Sequence, residues 1–365
     1  MAVIIKSPSL YIQGQGELAN LGTHAKKIGT KFFVLCSENT RKRIGPVMEQ
    51  SLKAAEKELG FCDFSGQCSK EEIARVMDVC MSSGSDVVVG AGGGKTVDTA
   101  KAVADNLGLP VIVIPTVASN DAPCSGIAVI YNDAGVVVKA QFTKRNPDMV
   151  LADTAIIAQA PVRLFAAGMG DALATWFEAR AAHASGARSM ARGQCSRTAL
   201  MMARLCYDIL IRDGAEALHA VEKDEVSPAV ESVVEASIYL SGLGFESGGL
   251  AAAHAINDGL AYLPEAHGLY HGEKVAFGTL AQLLLEKAPK EELDAVMAFM
   301  RSVGLPMTLK QLGVSGQVDE DALRKVAEAA CVPTQSTKNL PVPVTADDVY
   351  AAIKEADRLG TAFLA

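Results

Sequence analysis

Residues 85–101 read SDVVVGAGGGKTVDTAK and decide how the first half of the chain folds. A β-branched run, Val87–Val89, leads into four glycines within five positions, and a helical stretch follows from about Lys95. The four are Gly90, Gly92, Gly93 and Gly94. Glycines between a strand and a helix let a ligand approach the backbone closely, and the free N–H groups at the helix start attract an anion. The pattern predicts a loop that binds the pyrophosphate of a nucleotide.

Two familiar nucleotide-binding motifs have a different spacing. A Walker A loop requires glycine five residues before Gly94, where this chain has Val89. A Rossmann G-x-G-x-x-G that begins at Gly90 requires glycine where this chain has Lys95. A tight turn without a ligand would explain one or two glycines, but it explains four glycines followed by Lys-Thr-x-Asp poorly. We therefore interpret the segment as a phosphate-binding loop of another lineage.

The first 150 residues or so alternate short β-branched runs with helical stretches, which is typical of a parallel α/β sheet. Strands are predicted at 32–36, 62–64, 86–89, 111–114 and 150–151. Helices are predicted at 41–59, 70–82 and 96–106. The runs 126–131 and 136–139 flank the turn sequence Asn132-Asp-Ala-Gly135 and predict a hairpin.

Strand signals largely stop at about Pro161, a residue well suited to the first position of a helix. Long segments rich in Ala, Leu and Glu follow, and prolines separate them. The predicted fold is therefore an α/β dinucleotide-binding domain with a parallel sheet, residues 1–160, followed by an all-α domain, residues 161–365. The cleft between two such domains is a common place for an active site.

Composition narrows the function classes. The chain has 365 residues, of which 49% are apolar, and a net charge of −8. This charge argues against a surface for nucleic acids or anionic membranes. The first residues, MAVIIKSPSLY, do not form a secretory signal, and apolar runs are far shorter than a membrane span. Eight scattered cysteines without a C-x-x-C pair indicate reduced thiols and a cytoplasmic protein.

Three of the six histidines lie close together in sequence: His254, His267 and His271. His254 ends a run of small residues, and His271 begins a predicted helix, whereas His267 falls in a loop. Asp171 follows Gly168-Met-Gly170 at the start of another helical run. Two imidazoles and one carboxylate with an open position are typical of a catalytic zinc site. Spacing alone leaves this hypothesis open beside the ordinary one, in which the histidines are core or surface residues.

Five blocks that occur in order carry a resemblance to a known family: GAGGGKTVDTAKA, PTVASNDAPCS, GMGDALATWFEARA, GFESGGLAAAHA and YHGEKVAFGTL. The chain resembles the polyol branch of the iron/zinc-dependent, type III, alcohol dehydrogenases, and the resemblance runs from Ser7 to the C-terminal helix. It implies a zinc enzyme that oxidises glycerol and related 1,2-diols, giving dihydroxyacetone from glycerol, with hydride transfer to NAD. It also implies a homo-octamer. The expected binding partner is a small polyol substrate.

The same resemblance assigns roles to single residues. Asp171, His254 and His271 would bind the metal and also contact the substrate. Asp121 would bind the substrate hydroxyls, and Asp121 and His271 would be the catalytic residues. Relatives that use iron carry a further histidine four residues after the aspartate, where this chain has Thr175, so zinc is expected. Zinc would lower the pKa of a bound hydroxyl, and two vicinal hydroxyls could chelate it, which would favour 1,2-diols.

The resemblance also assigns a dinucleotide path. Its members are Gly94, Lys95, Thr96, Asp98, Thr116, Ser119, Ser125, Ile127 and Tyr131. Relatives usually carry an aspartate for the adenosine ribose at the end of the second strand, where this chain has Ser37 followed by Glu38. NAD is still expected, with Glu38 as a substitute carboxylate, but the absence of the aspartate weakens the exclusion of NADP. Ser37 could equally be an ordinary polar residue of its loop.

Three other activities fit these residues less well. A lyase of the dehydroquinate synthase type and a glycerol-phosphate dehydrogenase both require Arg or Lys around the phosphorylated substrate. Residues 247–280 contain only one such side chain, Lys274. A P-loop kinase or ATPase is inconsistent with Val89.

Overall fold

The computed structural model describes residues 2–132, 135, 137–316 and 319–365. Its strands are β1 (Tyr11–Gly14), β2 (Lys31–Cys36), β3 (Glu58–Asp63), β4 (Val87–Gly92), β5 (Val111–Pro115), β6 (Ile127–Tyr131), β7 (Val137–Phe142) and β8 (Met149–Asp153). Six of them form a parallel sheet in the order β1-β8-β5-β4-β2-β3. Every residue of β4 is buried, as expected for a strand covered on both faces. The predicted parallel sheet is confirmed.

Helices occupy most of the rest of the described chain. They are α1 (Leu21–His24), α2 (Glu38–Ala54), α3 (Lys70–Ser83), α4 (Gly94–Leu107), α5 (Thr154–Ala158), α6 (Val162–Ser185), α7 (Arg197–Val221), α8 (Pro228–Val234), α9 (Ser241–Gly248), α10 (Ala252–Gly259), α11 (His271–Leu285), α12 (Lys290–Ser302), α13 (Glu320–Ala330) and α14 (Ala346–Leu364). A π-helical segment, Glu235–Leu240, joins α8 to α9. Among the described residues no strand follows β8, which confirms the helical second half. None of the described helices is both long and apolar enough to span a membrane.

The predicted helix over 41–59 is wrong at its end. Helix α2 stops at Ala54, and β3 begins at Glu58. Glu56 adopts a left-handed backbone conformation with φ 58°, which ends the helix. Residues 58–63 then pair with β2 in parallel register, so pairing with a neighbouring strand overrides local helix propensity. The sequence also does not predict the short edge strand β1, which pairs with β8.

The predicted hairpin is present as β6 and β7. The two strands pair in antiparallel register from Ile127 opposite Phe142 to Tyr131 opposite Val137, with an irregularity at Ile130/Tyr131. The hairpin forms a two-stranded sheet separate from the six-stranded sheet. Asp133 and Ala134 of the predicted turn, and Val136 after it, lie outside the described residues.

The chain packs into two compact units. The α/β unit comprises residues 6–161 and 220–242, and the helical unit comprises residues 1–5, 162–219 and 243–365. The predicted domains, residues 1–160 and 161–365, therefore differ from these two units in two segments. Residues 1–5 belong to the helical unit, where Val3 bridges to Gln194. Residues 220–242 belong to the α/β unit, where Glu231 accepts hydrogen bonds from Gln13 and Thr154.

One face of the six-stranded sheet forms the core of the α/β unit. Phe32 and Val34 of β2 pack there with Val89 of β4, and α2 covers them with Met48 and Leu52. Burial of such large apolar side chains stabilises the fold by about 1.5–3 kcal/mol each. The carboxyl end of β4 in this sheet carries the glycine-rich loop.

Candidate metal centre and nucleotide-binding loop

Three side chains from three helices of the helical unit converge. Asp171 lies on α6, His254 on α10, and His271 is the first residue of α11. Each offers a ligand atom, and these atoms lie within 4.8 Å of one another. The Nε2 atoms of His254 and His271 are 3.4 Å and 3.1 Å from Oδ1 of Asp171. The structure thus brings together the three residues predicted to bind a metal.

His267 lies outside this cluster. It belongs to a 3-10 turn, Pro264–Gly268, and its exposed ring contacts the carbonyl oxygen of Ala261 through Nε2 at 2.9 Å. The prediction that it occupies a loop is therefore correct.

The distances within the cluster suit a tetrahedral metal ion. Donor atoms about 2.0–2.1 Å from a tetrahedral centre lie about 3.4 Å from one another. The two distances from Asp171 Oδ1 to the imidazole nitrogens, 3.1 Å and 3.4 Å, are close to this value. The donor set of two imidazoles and one carboxylate, with further positions open, matches catalytic zinc sites and also non-haem iron sites. The residues present therefore fit a divalent ion.

Glu178 orients His254 from the side opposite the cluster. Its Oε2 lies 2.6 Å from Nδ1 of His254, and its Oε1 accepts hydrogen bonds from the backbone N–H groups of Ala251 and His254. An imidazole that donates through Nδ1 presents the lone pair of Nε2, so Glu178 selects the tautomer that a metal requires. Glu178 was missed at the sequence level, although it lies seven residues after Asp171 and therefore on the same face of α6.

Two buried carboxylates make the cluster attractive to a cation. Burial by itself raises the pKa of Asp171, but His271 and His254 outweigh this effect and hold that pKa below its usual range. Burial lowers the pKa of His254, but Glu178 and Asp171 outweigh it and raise that pKa well above its usual value. The surroundings therefore favour positive charge beside Asp171, which a divalent ion supplies.

Close crossings of the three helices produce the convergence. A Cβ atom at position 272 would lie 1.8 Å from the carbonyl oxygen of Ala167, and one at position 170 would lie 2.4 Å from that of Gly272. Helices α6 and α11 thus touch through their backbones beside Asp171 and His271. A Cβ atom at position 278 would lie 2.4 Å from the carbonyl oxygen of Ala253, so α11 and α10 touch beside His254. Glycine at these positions brings each ligand within reach of the others.

A second contact fixes the start of α11. Glu273 accepts a hydrogen bond from the backbone N–H of Tyr270, the N-cap of α11, at 2.7 Å. Arg163 of α6 binds the same carboxylate with two hydrogen bonds, at 2.6 Å and 2.9 Å, and its guanidinium lies over the Tyr270 ring. Because His271 follows Tyr270 directly, this arrangement holds its backbone against α6.

The glycine-rich loop in the α/β unit has a partly structural explanation. A Cβ atom at position 90 would lie 2.6 Å from Cβ of Ala100, and one at position 92 would lie 2.7 Å from Oγ1 of Thr96. These two glycines let α4 pack directly on β4. At position 94, the first residue of α4, a Cβ atom would lie 2.5 Å from the side-chain amide of Asn120. The close packing places the N-terminus of α4 at the carboxyl end of the sheet, where an anion is favoured.

The predicted dinucleotide residues lie on α4, after β5 and in the segment that leads into β6. Thr116 follows β5, and its backbone N–H donates to the carbonyl oxygen of Gly92 at 3.1 Å, while Ser119 lies in the same segment. The Lys95 ammonium lies 5.3 Å from the centre of the Tyr131 ring. The other predicted members are Gly94 and Thr96 in the first turn of α4, Asp98 one turn later, Ser125 directly after the 3-10 turn 122–124, and Ile127 at the start of β6. Carboxyl ends of parallel strands are where open α/β sheets bind ligands.

Ser37 is the N-cap of α2 at the carboxyl end of β2. Its hydroxyl oxygen accepts a hydrogen bond from the backbone N–H of Thr40 at 3.2 Å and also bonds the Thr40 hydroxyl. Glu38, the predicted substitute for an aspartate, forms an exposed ion pair with Lys42 at 2.6 Å. Ser37 therefore has a structural role as a helix cap, whether or not a ribose contacts it.

Asp121 is buried in the α/β unit, directly before the 3-10 turn of residues 122–124. Its Oδ2 accepts a hydrogen bond from the hydroxyl of Ser241 at 2.8 Å. Ser241 directly follows the π-helical segment Glu235–Leu240. Segments of π-helix are rare and often occur at functional sites. Ser241 lies 120 residues from Asp121 in sequence, so no local pattern could indicate the contact.

We expect Gly272→Ala to lower metal affinity by about tenfold or more, because the added methyl group must push α11 away from α6 and separate the ligands. Metal affinity, measured by competition with a chelator, checks this. Gly268→Ala is the matched control, since a Cβ atom there meets nothing within 4 Å. Equal metal affinity in both variants would contradict the role assigned to the crossing.

The chain is similar to known dehydrogenases along its length. A family model described as iron-containing alcohol dehydrogenase matches residues 8–154. A glycerol dehydrogenase of Escherichia coli O6:H1 is 48% identical over 361 residues, which cover 99% of this chain and 98% of that protein. A glycerol dehydrogenase of Thermotoga maritima is 48% identical over 354 residues, 97% of this chain and 96% of the relative.

A solved structure extends the similarity to the fold. The crystal structure of glycerol dehydrogenase from Schizosaccharomyces pombe superposes with a TM-score of 0.95 at 36% identity, covering 99% of this chain and 92% of that one. Similarity along nearly the full length shows an enzyme of the oxidoreductase class. The chain belongs to the iron-containing alcohol dehydrogenase family, in the branch that contains the glycerol dehydrogenases.

Proposed function

We propose that the chain is a zinc-dependent enzyme that oxidises glycerol and related 1,2-diols, with transfer of a hydride to NAD and dihydroxyacetone as the product of glycerol. The convergence of Asp171, His254 and His271, with Glu178 behind His254, is the observation that carries this proposal. The full-length similarity to glycerol dehydrogenases supports the substrate class.

Asp171, His254 and His271 would hold the metal. When bound, a divalent ion acts as a Lewis acid that lowers the pKa of a coordinated hydroxyl. The protein contributes the fixed positions of the three ligands and the hydrogen bond from His254 to Glu178, which sets the imidazole tautomer. Zinc is proposed rather than iron because Thr175 occupies the position of a further histidine in the iron-using relatives. Thr175 is fully buried one turn after Asp171 on α6.

The α/β unit would hold the dinucleotide. The first turn of α4 offers backbone N–H groups and a helix dipole to the pyrophosphate, and Lys95 adds a positive charge. Bound NAD supplies the nicotinamide that accepts the hydride. Thr116, Ser119, Ser125, Ile127 and Tyr131 would line the rest of its path.

Asp121 would accept hydrogen bonds from the substrate hydroxyls. Its carboxylate is held by Ser241, so one oxygen is oriented before any substrate binds. Such preorganisation lowers the entropic cost of positioning a small, flexible polyol.

Activities on phosphorylated substrates are less well supported. Lys274 is the only Arg or Lys in residues 247–280, and burial lowers the pKa of its ammonium group. A phosphate calls for several exposed cationic donors, which this segment of the helical unit does not provide.

Several expectations from the sequence stay predictions. They are the homo-octamer, the cytoplasmic location, the small polyol as partner without nucleic acid or membrane, and the active site in a cleft between the two domains.

The proposal is tested with purified protein and a panel of substrates. We expect steady NADH formation with glycerol and 1,2-propanediol, none with glycerol phosphates, and about one zinc ion per chain by elemental analysis. Absence of NADH formation with every diol would contradict the proposed function. Iron in place of zinc would contradict the proposed metal alone.

We expect His271→Ala to lose metal and turnover together, to less than about a tenth of the parent values, since two ligands hold a divalent ion poorly. His183→Ala, an exposed histidine on the same helix as Asp171, is the control and should change neither quantity. Retention of zinc and turnover in His271→Ala would show that the ligand assignment is wrong.

We expect Asp121→Asn to raise the KM for glycerol by about tenfold or more, because a neutral amide replaces a charged hydrogen-bond acceptor. The KM for NAD should stay within about twofold. The exposed Asp78→Asn in the α/β unit is the control. Equal changes in both KM values would remove Asp121 from substrate binding.

We expect Ser37→Asp to raise the preference for NAD over NADP by about tenfold or more, because its carboxylate would repel a 2′-phosphate. The preference is the ratio of the two kcat/KM values. Ser37→Asn caps α2 equally well without the charge and is therefore the matched control. If both variants showed the same ratio, the end of β2 would not contact the ribose.

A further inference from the structure

Lys101 is a lysine in the interior of the α/β unit. It lies in the middle of α4, and only 2% of its side chain is exposed. Lysine is almost never buried to this extent unless its charge is paired, because desolvation of an ammonium group is costly. Its burial therefore calls for an explanation beyond packing.

The partners of the ammonium group come from two places. Asp98, one turn earlier on α4, approaches it with Oδ1 at 2.9 Å. The remaining partners are three main-chain carbonyls and the Ser125 hydroxyl, at 3.5 Å, in the segment that leads from Asp121 into β6. Nζ donates to Ala122 O at 2.8 Å, also to Ile127 O, and lies 3.3 Å from Ser125 O. An ammonium group has three protons, and all three are used in this network.

Asp98 extends the same network to the hairpin. Its Oδ2 accepts a hydrogen bond from the backbone N–H of Val129 at 3.0 Å. Burial raises the pKa of Asp98, and Lys101 opposes this effect. Loss of the ammonium charge would therefore leave a buried carboxylate without its counter-charge. Asp98 and Lys101 together fasten residues 122–129 to α4.

Residues 122–129 are not part of the six-stranded sheet. Residues 122–124 form a single 3-10 turn, and β6 pairs with β7 in the separate hairpin. The same segment carries Ser125 and Ile127, two of the proposed dinucleotide contacts, and follows Asp121 directly. The dinucleotide site as proposed needs contacts from both the first turn of α4 and this segment. The position of the segment relative to that turn therefore decides whether the site is complete.

We infer that Lys101 is a positioning residue that fixes residues 122–127 against α4 and thereby shapes the dinucleotide site. This inference rests on the proposed function, because it takes the α4 loop to be that site. Lys101 itself is buried beneath the segment and acts through the carbonyl groups that it binds.

Lys101→Met tests the inference, because it keeps an unbranched side chain one atom shorter and removes the charge and the hydrogen-bond donors. NADH affinity, measured by fluorescence on protein kept well below its thermal midpoint, should fall by about tenfold or more, since charge-assisted hydrogen bonds that order the segment are lost. Metal content should stay at the parent value, because the metal ligands lie in the helical unit. The exposed Lys53→Met on α2 is the control and should leave both unchanged.

A purely structural role would give a different result. It would lower the thermal midpoint and leave the NADH dissociation constant of the folded protein within about twofold of the parent, which would overturn the inference. If Lys101→Met does not yield folded protein, Lys101→Gln carries the same expectation and the same criterion. If the parent protein binds no NADH, the proposed function fails. If the parent binds and the folded variants bind equally well, only the role of Lys101 is wrong.

Discussion

Direct backbone contact between α6, α10 and α11 is the constraint on which the metal centre depends. At positions 170, 272 and 278 a Cβ atom would overlap a carbonyl oxygen of the neighbouring helix, so only glycine allows the crossings. Each crossing lies beside a candidate ligand. Because the three helices approach so closely, two imidazoles and a carboxylate lie around one point. The glycines thus determine where the candidate ligand side chains lie, although they are not ligands themselves.

The electrostatics of the cluster follow from this geometry. Asp171 and Glu178 are both fully buried on one face of α6, and each approaches an imidazole of the facing helices. Two buried carboxylates without a cation would be costly, because desolvation penalises isolated charge. A divalent ion held by the cluster would balance them, and Glu178 orients the His254 ring that would bind it. A buried charge is balanced in the α/β unit as well: the Lys101 ammonium group contacts Asp98 and carbonyl groups.

The sequence predicts the parts of this arrangement that local patterns encode. Alternation of β-branched runs with helices predicts the parallel sheet, and the glycine-rich loop predicts the strand-to-helix turn at the start of α4. The end of α2 could not be predicted, because pairing of residues 58–63 with β2 decides it. Glu178, Ser241 and Lys101 were missed for a similar reason: each is defined by contacts that only the folded chain creates. The three metal ligands could be proposed from residue type, but their convergence required the helix crossings.

X-ray absorption at the zinc edge of the purified protein tests whether Asp171, His254 and His271 bind the ion together. Binding by these three residues predicts a first shell of nitrogen and oxygen at about 2.0–2.1 Å, with the outer-shell scattering of two imidazole rings. A first shell of sulfur at about 2.3 Å, or scattering from no imidazole at all, would contradict it.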